Sequence, residues 1–294
     1  MKNQQKAYLC AIATVLLWST VASAFKITLG YLDPIQLLLY ASLVSTATLG
    51  LILVLQGKTS LLFSCSGSQY LHSLQLGLLT PFLYYLILFK AYALLPAQVA
   101  QPLNYTWALT LTYLSIPLLG QRIKTREIAA GIVCYLGVVV ISTRGEMLSF
   151  SAFAPLGVFL ALASTVVWSL SWILGTRDDR DPVLSLLLAF LFGLPFIFFA
   201  CVLFSNLSVS DPRGLLGAAY VGIFEMGITF VFWLKALKLS ENTAKVGNLI
   251  FLSPFLSLVF IRFFVGEEIY ASTFIGLVFI VTGLVIQGLG KRRA

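Results

Sequence analysis

The sequence predicts an all-α integral membrane protein of ten transmembrane helices, arranged as two inverted five-helix repeats over residues 1–150 and 151–294. Three observations predict it. Hydrophobic residues make up 59% of the 294 and charged residues only 10%, which excludes the mixture of an ordinary soluble domain. About ten apolar stretches, each near the ~20 residues that cross a bilayer core, fill residues 7 to 289 and leave no room for a soluble domain. Short motifs also recur between the halves. Trp18-Ser19 is followed 15 residues after the Trp by Asp33-Pro34, and Trp168-Ser169 is followed 13 residues on by Asp181-Pro182. Lys90-Ala91-Tyr92-Ala93-Leu94 ends the third stretch as Lys235-Ala236-Leu237-Lys238-Leu239 ends the eighth, the weak internal similarity of a repeat-built membrane protein.

In chain order the predicted spans are 7–29, 34–55, 71–93, 97–119, 125–143, 155–175, 183–204, 214–237, 244–265 and 269–289. The first could be mistaken for a signal peptide, with Lys2 and Lys6, an apolar run from Ala7 and then Ala22-Ser23-Ala24. It reads better as a retained helix, because cleavage would discard the Trp18 copy of the repeated motif. The Ser-rich segment from Gln56 to Tyr70 is the longest loop, and Arg144 to Ala154 links the halves. Pro81, Pro102, Pro117, Pro195 and Pro254 remove backbone donors inside spans, so kinks are expected beside them. The four cysteines show no spacing of a disulfide framework.

The formal charge of +8 would suggest nucleic acid in a soluble protein, but here the basic residues flank apolar segments and set topology. A cytoplasmic N-terminus places 14 Lys and Arg residues inside and five outside, the latter being Lys26, Lys90, Arg144, Arg213 and Arg262. An even number of spans returns the C-terminus to the cytoplasm. Since each half has an odd number, the second enters the membrane inverted, an arrangement from which alternating access follows.

On these residues the chain resembles the drug/metabolite transporter superfamily, specifically the EamA-type ten-helix exporters. The resemblance rests on Trp18-Ser19, Trp168-Ser169, Ser253-Pro254, Gly266-Glu267, Gly276 and Gly283. Gly131 and Gly137 match in the first half, which departs at Gly120-Gln121, where the family often has Gly-Glu. It implies a secondary transporter of a bacterial-type inner membrane that exports small metabolites such as amino acids or related compounds, with a small-molecule substrate, a lipid bilayer around it and no cofactor.

Glu225 is the sharpest candidate for coupling or substrate contact. It lies 12 residues after Arg213 and 10 before Lys235, hence ~18 and ~15 Å along a helix, near the bilayer midplane. An acid there costs roughly 2.5–3.5 kcal/mol on insertion scales, so it should face protein or a water-filled cavity and exchange a proton. The stripe Gly217, Val221, Gly222, Glu225, Thr229 and Phe232 would face the bundle interior, and a protonated acid used only for packing is the other reading. On helix four, Gln101, Asn104, Tyr105, Ala108 and Thr112 share one face and can orient a zwitterionic or hydroxylated ligand. Asn248 nearly mirrors Asn104 under the repeat. Trp18 and Trp168 are candidate cavity walls for an apolar solute. Plain interhelical packing stays open for the amides and the indoles alike.

Lysines 26, 90, 235 and 245 and Arg262 read as interfacial snorkelling side chains, with Lys245 the best placed to attract an anion. ATP-driven transport is disfavoured because no G-x-x-x-x-G-K-[ST] sequence is present. Antiport of sugar phosphates or nucleotide sugars would require cations near midplane, and none is evident. An intramembrane prenyltransferase-like enzyme would need an Asp-rich magnesium motif; Arg177-Asp178-Asp179-Arg180-Asp181 ends in Pro182 and has no second acidic cluster, so Asp179 and Asp181 read as parts of a solvated turn.

Overall fold

The computed structural model describes residues 3–120, 125–143, 154–175, 177–240 and 248–288. Every regular element among them is helical. The α-helices are α1 (Asn3–Thr28), α2 (Pro34–Leu55), α3 (Gly67–Gly77), α4 (Tyr84–Leu94), α5 (Ala97–Tyr105), α6 (Trp107–Leu119) and α7 (Thr125–Ser142). They continue with α8 (Pro155–Gly175), α9 (Pro182–Phe204), α10 (Pro212–Tyr220), α11 (Thr229–Leu239), α12 (Ser253–Phe260) and α13 (Ala271–Gly288). Six helical stretches are long and apolar enough to cross a membrane, and the shorter ones at 128–142, 249–265 and 271–286 are apolar too. Their outward faces carry large exposed apolar residues such as Phe159, Leu203 and Phe263, as lipid contact requires.

The repeated Asp-Pro dipeptides start helices. Asp33 accepts the amide hydrogens of Ile35 (2.8 Å) and Gln36 (3.0 Å) at the head of α2 while Pro34 takes the first turn. Asp181 does the same for Val183 (3.0 Å) and Leu184 (3.3 Å) on α9.

Three spans are interrupted. At Pro81 a π-helical segment, Leu78–Leu83, joins α3 to α4, and Thr80 has an extended backbone. The predicted 97–119 stretch splits at Thr106, four residues after Pro102. A second π segment, Val221–Ile228, separates α10 from α11 and contains Glu225. No proline causes it, so the sequence offered no warning there. Pro195 by contrast lies within the single helix α9.

Packing follows matched pairs. Helix α1 lies against α11 and α12, as α8 lies against α4 and α6. Helix α2 crosses α9 and the Val221–Ile228 segment, while α9 in turn crosses α3. Helices α7 and α13 pack against each other. Lipid tails are as apolar as the protein interior, so close backbone approach and polar contacts hold such helices together more than burial alone. Glycines supply that approach: a Cβ on Gly276 would stand 2.6 Å from the Gly137 carbonyl oxygen, and one on Gly77 would stand 2.9 Å from the Gly193 nitrogen.

Candidate functional site

Glu225 sits where α2, α4 and the Val221–Ile228 π segment meet. Gly222, one turn before it, lies against the α2 backbone at Ala41 and Ser45, and the Ser45 hydroxyl donates to the Met226 carbonyl at 2.8 Å. The segment is thereby pinned to α2 with its acid turned inward. Glu225 is 8% exposed, and its Oε1 accepts the Tyr85 hydroxyl at 3.3 Å. The Trp18 indole faces the same carboxyl, yet neither Trp18 Nε1 nor Glu225 Oε2 has a hydrogen-bond partner of ordinary geometry. No ion pair reaches Glu225 among the described residues.

The Thr229 hydroxyl donates back to the Phe224 carbonyl, five residues earlier, as the wider π turn allows. Of the expected stripe, Val221, Gly222, Glu225 and Thr229 are buried, and the next residue, Phe230, is half-buried. The Phe230 ring lies 5.7 Å from Trp18 and 5.8 Å from Trp168, centroid to centroid, so it bridges the two indoles. Trp168 further contacts Tyr84 at 4.5 Å, and Trp107 stacks on Trp172 at 6.2 Å.

On α5, Asn104 Oδ1 accepts the Tyr84 hydroxyl at 3.3 Å and its Nδ2 donates to Ser164 Oγ at 2.9 Å, joining α4 to α8. Gln101 is buried with Oε1 unpartnered, and the Tyr105 phenol is in hydrogen-bond contact with Ser253. Thr106 divides the stretch, so Ala108 and Thr112 lie on α6 while Gln101, Asn104 and Tyr105 lie on α5. The side chain of Asn248 and the whole of Lys245 lie outside the described residues. The serines that follow the two indoles act across the halves: Ser19 donates to Ser253 Oγ at 3.3 Å and Ser169 to the Trp107 carbonyl at 3.1 Å.

A cavity of about 280 Å³ runs from Tyr85, Trp168 and Phe230 to the α8–α9 connection. One face of α8 (Trp168, Ser171, Trp172, Gly175) and one face of α9 (Ser185, Leu186, Ala189, Phe190) form its walls; Tyr85 and Phe230 line it on the side toward Glu225. At its other end stand Asp178 and Arg180, each side chain only 7% exposed. Arg180 donates from Nε to Asp178 Oδ1 (2.8 Å), from Nη2 to Asp178 Oδ2 (2.7 Å), and again from Nη2 to Ser73 (2.8 Å). Ser185 adds a short bond to Asp178. Burial would push the Asp178 carboxyl up, but the bonds from Arg180 and Ser185 outweigh it and hold the group at about 2. The expected solvated turn thus holds for exposed Asp179 but not for its neighbours: Asp178 and Arg180 line the cavity, and Asp181 caps α9 and pairs with Lys58 at 2.5 Å. Alternating charges in a short loop carry no mark of burial, which is why sequence reading missed them.

A polar cluster lines a separate recess at the α4–α5 connection. Glu267 accepts the amide hydrogens of Ala97 (2.8 Å) and Gln98 (3.2 Å) at the start of α5. Gln98 donates to the Glu268 carbonyl (2.7 Å) and accepts from the Tyr270 amide (2.9 Å) and the Thr273 hydroxyl (3.1 Å). Lys26 donates to the Tyr92 (3.0 Å) and Leu95 (2.7 Å) carbonyls at the end of α4, where unpaired helix carbonyls favour a cation.

The EamA-like transporter family matches residues 5–143 and 155–288 of this chain. An uncharacterized transporter of Clostridium kluyveri is 25% identical over 302 aligned positions, covering 99% of this chain and 95% of its own length. One of Archaeoglobus fulgidus is 26% identical, covering 96% of each. The aromatic amino acid exporter YddG of Ancylobacter novellus is 26% identical over 258 positions, 87% of each chain. A crystal structure of a 23% identical protein superposes with a TM-score of 0.69 over 99% of both chains, a likeness of fold.

Proposed function

The chain belongs to the EamA-like transporter family, and from that premise we propose that it is a secondary transporter exporting small metabolites such as amino acids by alternating access. In this reading it is a transporter rather than an enzyme, set in a bacterial-type plasma membrane with both termini cytoplasmic and ten spans forming two inverted repeats, 1–150 and 151–294. The exchange symmetry of the helix pairings, α1 with α11 and α8 with α4, supports the repeat. The observation that carries the function is the chamber between the halves, aromatic along its walls and ending at the Tyr85 side chain that holds Glu225. Trp18, Asn104, Tyr105, Trp168 and Asn248 would contribute to the substrate route, and Glu225 would bind and release a proton as access alternates. The named aromatic amino acid exporter among the relatives supports an amino-acid-like solute. A phosphorylated solute is disfavoured, since Arg180, the one basic residue among the described residues that line the chamber, is taken up by Asp178. Reconstitution in proteoliposomes with labelled amino acids tests the reading: solute exchange and accumulation under a proton gradient are expected, and a protein that exchanges no amino acid overturns it.

A further inference from the structure

The Asp178–Arg180 pair differs from the other ion pairs among the described residues in lining a cavity. Lys58–Asp181 and Arg213–Asp211 have one partner 43% and 66% exposed, whereas Asp178 and Arg180 are 7% exposed each. Both face a chamber whose walls are otherwise mostly apolar and aromatic. From Trp168 to Gly175 the α8 wall rises ~10 Å, so the charged end and the aromatic end are separated by about the length of a small organic solute.

The chemistry of the pair restricts what can enter. Arg180 grips the Asp178 carboxylate with two parallel N–H bonds, the same fork a free carboxylate would accept. An ammonium group could in turn occupy the place of the guanidinium against Asp178, where Ser185 already donates. A solute bearing only one charge would release one partner and strand it half-desolvated, which is costly. A solute bearing both charges exchanges one ion pair for two and leaves no charge uncompensated.

We propose that Asp178 and Arg180 form the head-group site for a net-neutral zwitterion, an amino-acid-like solute whose apolar side chain lies between Trp168, Trp172 and Phe190. This rests on the transporter reading above and places the charged recognition at the end of the chamber, away from Glu225. Its size agrees: about 280 Å³ is near the lower end of small-ligand pockets, roughly 300 Å³.

The test is equilibrium binding of radiolabelled L-phenylalanine to the purified full-length chain, with phenethylamine and 3-phenylpropanoate as competitors lacking the carboxylate and the ammonium. Each competitor should bind at least tenfold more weakly than L-phenylalanine. Arg180→Gln should weaken L-phenylalanine about tenfold while sparing phenethylamine, and Asp178→Asn should weaken it while sparing 3-phenylpropanoate. Absence of L-phenylalanine binding, equal affinity for the three compounds, or an equal loss of all three in both variants overturns the assignment, the last outcome marking the pair as a structural staple. If the single variants do not accumulate, the exchange Asp178→Arg with Arg180→Asp keeps the pair and must keep the preference for the zwitterion; loss of that preference in a folded protein also overturns it. Proteoliposome exchange separates the levels: amino-acid exchange without this selectivity removes the head-group site alone, whereas no exchange removes the proposed function with it.

Discussion

Tyr85 donates its hydroxyl to Glu225 at 3.3 Å while its ring forms part of the chamber wall, so a single side chain connects the space a solute would occupy with the buried acid. Displacing that hydroxyl is the simplest way for an occupant to alter the carboxyl. Because the second carboxyl oxygen is unpartnered, the acid has spare capacity for a proton or a solute donor.

Glu225→Gln should therefore retain fold and solute exchange while losing accumulation driven by an imposed pH gradient. Tyr85→Phe should weaken the same coupling. If both act through one bond, the double variant will be no worse than Glu225→Gln, a non-additivity of about 0.5–3 kcal/mol. A Gln variant that accumulates substrate as well as the unaltered protein would show that Glu225 is structural.

Much of the fold was legible because the length needed to cross a bilayer leaves strong traces in sequence. The apolar runs at 34–55 and 155–175 coincide with single helices, and the two Asp-Pro dipeptides mark helix starts by a local capping rule. The inward position of Glu225 was equally readable from its distance to flanking charges. What escaped was register and burial. The π segment around Glu225 lies where Gly222 meets α2, a tertiary contact with no local signal. The burial of Asp178 and Arg180 likewise depends on Ser73, 107 residues from Arg180.

The α7–α13 contact should tolerate no bulk. Gly137→Leu or Gly276→Leu would force these backbones apart and cost about 1–3 kcal/mol, read as a lower unfolding temperature in detergent. Gly50→Ala, where a Cβ would meet nothing within 4 Å, is the control and should be nearly silent. Equal effects at the three positions would remove the close-packing account.

Removing single charges should separate the two ion pairs at the α8–α9 connection. Lys58 is 43% exposed, so Lys58→Ala should cost less than about 1 kcal/mol. Arg180→Ala strands a buried carboxylate and should cost about 3 kcal/mol. Matching losses in urea or thermal unfolding would contradict the difference in burial.

The pH dependence of these two sites should also differ. Asp178 is held at about 2, below the ordinary ~3.9 of an aspartate. A lowered folded value means its stabilising contribution is complete above ~3.9 and is lost as pH falls through about 2. Binding that depends on this pair should then be flat from about pH 5 to 8. In the Glu225→Gln background, affinity for a zwitterionic solute should show no pH dependence over that interval. A slope that survives the substitution would place the titrating group elsewhere.

The cluster around Glu267 should act as a closure at the α4–α5 connection, away from the α8–α9 connection. Its carboxylate satisfies two amides at the head of α5, and Gln98 ties that head to Glu268, Tyr270 and Thr273 in the second half. Glu267→Ala leaves both amides without this partner, at a cost of about 0.5–2 kcal/mol. Glu267→Gln keeps one acceptor oxygen and should cost less. Stability alone would not distinguish a closure from a cap, so the informative measurement is access. Leu94 lines the recess beside Lys26 and Glu267. A cysteine introduced there, in a background lacking Cys10, Cys65, Cys134 and Cys201, should react several-fold faster with an impermeant maleimide once Glu267 is replaced by Ala. The gain should shrink when solute occupies the chamber, because occupancy and opening at this end are linked through the α4 helix that carries Tyr85 and ends at Leu94. A fall in stability with unchanged labelling would make Glu267 a helix cap with no part in access.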